Sequence, residues 1–274
     1  MGEIKVYSGI SVPETEPRRA LVVSGEGARG SIQASIISNL DVDFLHVYGV
    51  SSGAINAAAM HYLGKKDMLQ VWKPVKGLQS ILNPNWFSWP WKRGLCEMDP
   101  IVRMIANISD KSDKTHTFAT VYRTKWSNGH TTRVDSTAHT FLEALRDAVT
   151  IPGLMSPKGS YFDAGCRMLA PLSGPIKDGY NDIHVVLGRN LNMPAWEPKF
   201  PQFATFGYRF IDIMLHEILM RDIRLCIHRN GEHGYNKIKV TVHFPRKTYF
   251  DSLEFSRTPE GFDLGKEFYS RIVT

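Results

Sequence analysis

Cysteine is scarce in this sequence. Its 274 residues include three, Cys96, Cys166 and Cys226. An odd number without metal-ligand spacing argues against a disulfide-built or zinc-built fold, and reduced thiols are the economical reading. Long hydrophobic runs are missing too, and nothing approaches the roughly 20 apolar residues that a membrane-spanning helix needs. The opening Met1-Gly2-Glu3-Ile4-Lys5-Val6 has no apolar signal core, and Val6 stands where a myristoylation signal wants Ser or Thr. A soluble, cytoplasmic chain is therefore expected. No concentrated basic stripe exists either. Lys and Arg total 33 against 27 Asp and Glu, a net charge of +6, but the basic residues are scattered in small pairs such as Arg18-Arg19 and Lys65-Lys66. That pattern suits a solvated surface and gives no reason to expect nucleic acid as a partner. What is abundant is dispersed apolar sequence, 43% hydrophobic against 22% charged, as in a folded globular chain with a sizeable core.

Residues 1–19 carry Pro13, Pro17 and several charges and read as a loosely held lead-in; residues 20–274 read as one domain. Ala20-Leu21-Val22-Val23 is a short apolar run with the character of a buried parallel strand. A Gly-rich turn, Gly25 to Gly30, precedes helical spacing from Ser31 to Leu40. Phe44 to Tyr48 is a second buried strand, Gly49 to Gly53 a second tight turn, and Ala54 to Leu63 a second helix. This β-turn-α-β-turn-α order predicts adjacent parallel strands with both turns at one carboxyl edge, where open α/β sheets hold ligands. Further on, Thr117 to Val134 suggests a hairpin around Ser127-Asn128-Gly129. Phe141 to Val149 and Phe210 to Cys226 suggest helices, and Ile183 to Leu187 and Lys237 to Val242 the remaining strands. Alternation of this kind predicts a single α/β domain.

The second turn, Gly49-Val50-Ser51-Ser52-Gly53, is a G-x-S-x-G. Alone it is weak, because about one chain in ten of this length contains it by chance. Its setting between a buried strand and a small-residue helix (Ala54, Ala57, Ala58, Ala59) is that of a nucleophile elbow, which holds a serine in a strained backbone and exposes its Oγ. The bland alternative is a serine that merely caps the helix. The first turn, Gly25-Glu26-Gly27-Ala28-Arg29-Gly30, is a G-x-G-x-x-G. A dinucleotide site would need an acidic residue at the end of the next strand. Asp41 and Asp43 precede that strand, and its end is Gly49-Val50-Ser51. The other reading is an oxyanion hole, in which backbone N–H groups converge on the carbonyl that the serine attacks. A base is also required. Of ten histidines none stands in the context of a catalytic loop; His184 lies inside a strand and His216 on the amphipathic helix.

Together these motifs resemble the patatin-like phospholipases. The resemblance rests on the Gly25–Gly30 loop with Arg29 at its basic place, the Gly49–Gly53 elbow, and a third stretch. In that stretch Ala148-Val149-Thr150-Ile151-Pro152-Gly153-Leu154 leads to Tyr161-Phe162-Asp163-Ala164-Gly165. It extends more weakly from roughly Ala20 to Lys266, with the motif-bearing core at about 20–190. Ala164 departs from the family's middle glycine; Asp178-Gly179 has the right dipeptide but lies too far along. The resemblance implies a three-layer α/β/α fold with a mostly parallel sheet, and a Ser51–Asp163 dyad without histidine, metal or cofactor. It also implies backbone donors near Glu26, Gly27 and Ala28, and phospholipids or other long-chain acyl esters as substrates. Two rivals stand beside it: a Ser-His-Asp esterase with the same elbow, and a silent lipid-binding protein of the same fold. Trp86, Trp89 and Trp91 beside Lys92-Arg93, with Trp72 upstream, suit contact with an anionic membrane surface.

Overall fold

The computed structural model describes residues 18–84, 94–97, 99–109, 116–193, 203–231 and 238–273. Trp86, Trp89 and Trp91 lie outside these residues, as does most of the N-terminal lead-in. The strands are β1 (Arg19–Val23), β2 (His46–Gly49), β3 (Asn83–Pro84), β4 (Gly94–Glu97), β5 (Phe118–Lys125), β6 (Thr131–Asp135), β7 (Gly153–Met155), β8 (Tyr161–Asp163), β9 (Asp182–Val186), β10 (Lys239–Pro245) and β11 (Phe268–Ile272). The helices are α1 (Gly30–Asn39), α2 (Ser52–Asp67), α3 (Asp99–Ser109), α4 (Phe141–Ala148), α5 (Ser173–Lys177), α6 (Phe203–Gly231) and α7 (Gly261–Leu264).

The main sheet runs β11-β10-β9-β1-β2-β5-β6, with β8 also on β5. Its centre is parallel: β1 pairs with β2 and β9, β9 with β10, and β2 with β5. Only β6, β8 and β11 run antiparallel to their neighbours. The period of two along β1 builds both faces. Leu21 and Val23 join a core cluster with α1, α2 and α4, while Ala20 and Val22 join another with Leu219, Ile223 and Cys226 of α6. Burial on both faces is why β1 reads as a continuous apolar run from Ala20 to Val23. The result is a mixed α/β/α sandwich with a mostly parallel central sheet.

The register places the end of β8 opposite the end of β2. β6 occupies one edge of β5 from Thr120 to Thr124. β2 occupies the other edge up to Gly49 opposite Val121, and β8 takes over that edge, running the opposite way, with Asp163 opposite Arg123. The two strands therefore meet end to end along one side of β5.

Several boundaries differ from the sequence expectation. α6 begins at Phe203 rather than Phe210. An additional edge strand, β11, follows the last strand expected; its FYSRI sequence is mostly exposed and carries no buried-strand signature. α2 begins at Ser52 and carries a break at Gly64, whose φ of +76° is open to glycine at little cost. Trp72 belongs to the core, not to a lipid-facing surface. It is buried, donates from Nε1 to Asn56 Oδ1 at 2.7 Å, and packs where a Cβ on Gly30 would lie 2.3 Å from its ring.

Candidate active site

Ser51 follows β2 directly and precedes the first turn of α2. It is the one non-glycine residue with positive φ among the described residues (φ 55°, ψ −127°). A side chain held there costs on the order of 1–3 kcal/mol and persists only where the surroundings impose it. The elbow's flanks impose it by close approach. A Cβ on Gly49 would lie 2.2 Å from the Gly53 carbonyl oxygen, and one on Gly53 would lie 2.2 Å from that of Val23. Small residues are thus required at both ends of the pentad.

Asp163 closes β8 and faces the elbow. Its Oδ1 accepts a hydrogen bond from the Gly165 N–H at 2.8 Å, and the nearby Ser51 hydroxyl favours its ionised form. Its own N–H donates to Thr150 O at 2.9 Å. The side chain is buried, and burial pushes its pKa up to about 6 although the Ser51 hydroxyl and the Gly165 N–H both favour the ionised form. Ala164 is buried in a short 3-10 turn and has no positive φ, so the glycine usual in the family is not needed here for backbone conformation.

The other candidate bases are engaged elsewhere. Asp178 Oδ2 accepts from Tyr48 Oη at 2.7 Å and pairs with Arg133 at 2.8 Å. His184 Nδ1 lies 2.9 Å from His243 Nε2, and His243 Nδ1 lies 2.8 Å from Ser270 Oγ. Burial lowers the pKa of both of those histidines and of His216 on α6.

The Gly-rich loop lies against the serine: a Cβ on Gly25 would sit 2.8 Å from Ser51 Cβ. Of the three donors expected there, two are occupied. The Glu26 N–H donates to Ser52 Oγ at 2.9 Å, and the Ala28 N–H to Ser252 O at 2.7 Å. The Gly27 N–H has no partner among the described residues. Gly27 has φ +58°, and a Cβ there would lie 2.1 Å from Ser252 O, so conformation and space both demand glycine. The remaining N–H groups of the loop, those of Gly25, Arg29 and Gly30, donate to Leu169 O, Glu26 O and the carbonyls of Ala28 and Gly27.

A buried charge cluster anchors this loop, and the motif alone gave no sign of it. Glu26 Oε1 accepts from Ser24 Oγ (2.6 Å) and the Gly188 N–H (3.0 Å), and Oε2 accepts from Arg189 Nε (3.0 Å). Arg189 Nη1 pairs with Asp212 of α6 at 3.1 Å. Arg29 Nε donates to Phe250 O at 2.6 Å, and its Nη1 lies 3.8 Å from Asp212. Two fully buried cations thus face two buried carboxylates, with the more exposed Arg209 and Asp251 at the edge of the cluster, and removing one charge leaves the others uncompensated in a medium of low dielectric. Glu26→Gln keeps the shape and is expected to cost about 3 kcal/mol of stability, read as a lower urea midpoint with an unchanged slope. An unchanged midpoint would show that the cluster does not hold the loop.

Residues 21–174 match the family model described as patatin-like phospholipase. The chain belongs to that family. Its elbow, its Gly-rich loop and Asp163 all fall within the matched residues. Patatin-like phospholipases are lipid ester hydrolases acting on lipid substrates. The crystal structure of VipD from Legionella pneumophila aligns loosely, over 93% of this chain and 68% of that one, with 12% identity and a TM-score of 0.38. No curated protein matches the chain.

Proposed function

We propose that this patatin-like protein hydrolyses fatty-acyl esters of lipids through a Ser51–Asp163 dyad. The observation that carries the reading is a strained elbow serine beside a buried carboxylate whose pKa is raised to about 6. A carboxylate of that basicity is matched to general-base work near neutrality.

Asp163 accepts the Ser51 proton as Oγ bonds to the ester carbonyl carbon. The tetrahedral oxyanion lies toward the Gly27 N–H and the start of α2, where backbone dipoles favour negative charge. Collapse expels the alkoxide of the lipid, which takes the proton back from Asp163, and leaves an acyl-serine. Water then attacks that ester while giving a proton to Asp163, and Ser51 departs with the proton as fatty acid is released. The N–H groups of Glu26 and Ala28 are taken up by Ser52 and Ser252, so Gly27 is the loop donor in this scheme. The protein is proposed to act in the cytoplasm, on lipid presented at membrane surfaces.

The test is incubation of the purified protein with a mixed lipid extract, followed by identification of the products. Free fatty acid with the matching lysolipid or glycerol ester is expected from wild type and not from Ser51→Ala. An extract left unchanged by wild type would count against the reading.

A further inference from the structure

A cavity of about 540 Å³ lies on the α6 side of the sheet. One wall is α6. Arg221, Leu225 and Arg229 are spaced four residues apart along it, so they share one face, and all three line the cavity. Leu225 is 58% exposed. The opposite wall is α5, which contributes Ile176 and Lys177. The floor is the segment that follows Asp163, through Met168 to Leu172.

The lining of this cavity is rich in cations. Arg167, Lys177, Arg221 and Arg229 line it against one carboxylate, Asp222. That carboxylate is already committed: Oδ2 accepts the N–H groups of Leu169 and Ala170 at 3.0 and 3.2 Å, and Oδ1 accepts Arg221 Nη2 at 3.1 Å. Between the cations runs an apolar strip of Met168, Leu172, Ile176 and Leu225. Cations around an apolar strip complement a molecule with one anionic head and one apolar tail, and the volume is that of a single small-molecule site. Guanidinium groups bind carboxylates through paired, charge-assisted hydrogen bonds.

We propose that this groove is a second, non-catalytic site for a long-chain carboxylate, with its head among Lys177, Arg221 and Arg229 and its chain over Leu225 and Ile176. The choice of a fatty acid rests on the proposed reaction, which releases one. The floor of the groove is tied to the Gly-rich loop, because the Leu169 carbonyl accepts the Gly25 N–H at 3.1 Å. Ligand there would sit behind the catalytic segment, not at Ser51.

The test is titration of the intact protein with a fluorescent polyene fatty acid, with competition by the chain-matched alcohol, by butyrate and by inorganic phosphate. Lys177→Glu with Arg229→Glu, and separately Leu225→Asp, are each expected to weaken binding about tenfold or more. Their circular dichroism and turnover of a soluble short-chain ester should match wild type. The alcohol, butyrate and phosphate should compete poorly, because each lacks either the head or the tail. Binding should persist in Ser51→Ala, so loss of the dyad reading and loss of this site are separate results. Unchanged affinity in both groove variants, or an alcohol that competes as well as the acid, would overturn the proposal.

Discussion

Ser51→Ala is expected to lower the turnover of acyl esters by roughly 10³- to 10⁶-fold while leaving the fold intact. The hydroxyl removed stands beside Asp163 and is the atom that the elbow exposes. Alanine keeps the Cβ and therefore the same strained φ of 55°, so the melting temperature should stay close to that of wild type. Ser51→Gly relieves the strain and should melt no lower than Ser51→Ala, with equally little activity. The neighbouring Ser52 is a contrasting control. Its Oγ accepts the Glu26 N–H, so Ser52→Ala leaves a buried donor without a partner and acts through stability and loop position. Kinetics and thermal melts of the three variants separate the two serines.

Asp163→Asn is expected to lower turnover by roughly 10²- to 10⁴-fold, the range ascribed to general-base catalysis. The stability effect should run the other way. Burial raises the Asp163 pKa to about 6 in the folded chain, against about 3.9 when exposed. The folded state therefore holds the proton more tightly than the unfolded state does. The contribution is fully present below pH ~4 and is lost as pH rises through about 6, at an order-of-magnitude cost of about 3 kcal/mol at neutral pH. Asparagine can still accept from the Gly165 N–H and carries no charge to bury. The variant should therefore melt no lower than wild type at pH 8, and up to several degrees higher. The same ionisation sets the activity profile: kcat/KM of wild type should be flat above about pH 6 and fall about tenfold per pH unit below it. An Asp163→Asn variant that keeps wild-type turnover would remove Asp163 from the mechanism.

The parts of this site that could be read from sequence are those encoded locally. β1 is a continuous apolar run because helices cover both faces of the sheet, and the elbow's glycines and alanines stand next to the serine that needs them. Asp163 was legible only through the family's third motif. The physical reason for its position, β8 meeting β2 on one edge of β5, is a property of register that no local pattern encodes. The buried cluster was hidden for a similar reason. Glu26 is 163 residues from Arg189, and Arg29 is 221 from Phe250. A glutamate in a Gly-rich loop reads as a solvent-facing residue until its partners are known. The loop's donors show the same limit. Glycine spacing indicates that N–H groups turn inward, but which of them are already satisfied depends on Ser52 and on Ser252, far along the chain. β11 escaped because an exposed edge strand has neither alternation nor a continuous apolar run.

The most direct test of the dyad is the site of covalent capture by a fluorophosphonate, a reagent that bonds to an activated serine Oγ and expels fluoride. Peptide mapping of the folded wild-type protein should place a single adduct on Ser51, with none on Ser52 and none on any serine of the Ser51→Ala protein. Folded wild-type protein that stays unlabelled, or carries its adduct at another serine, would contradict the account.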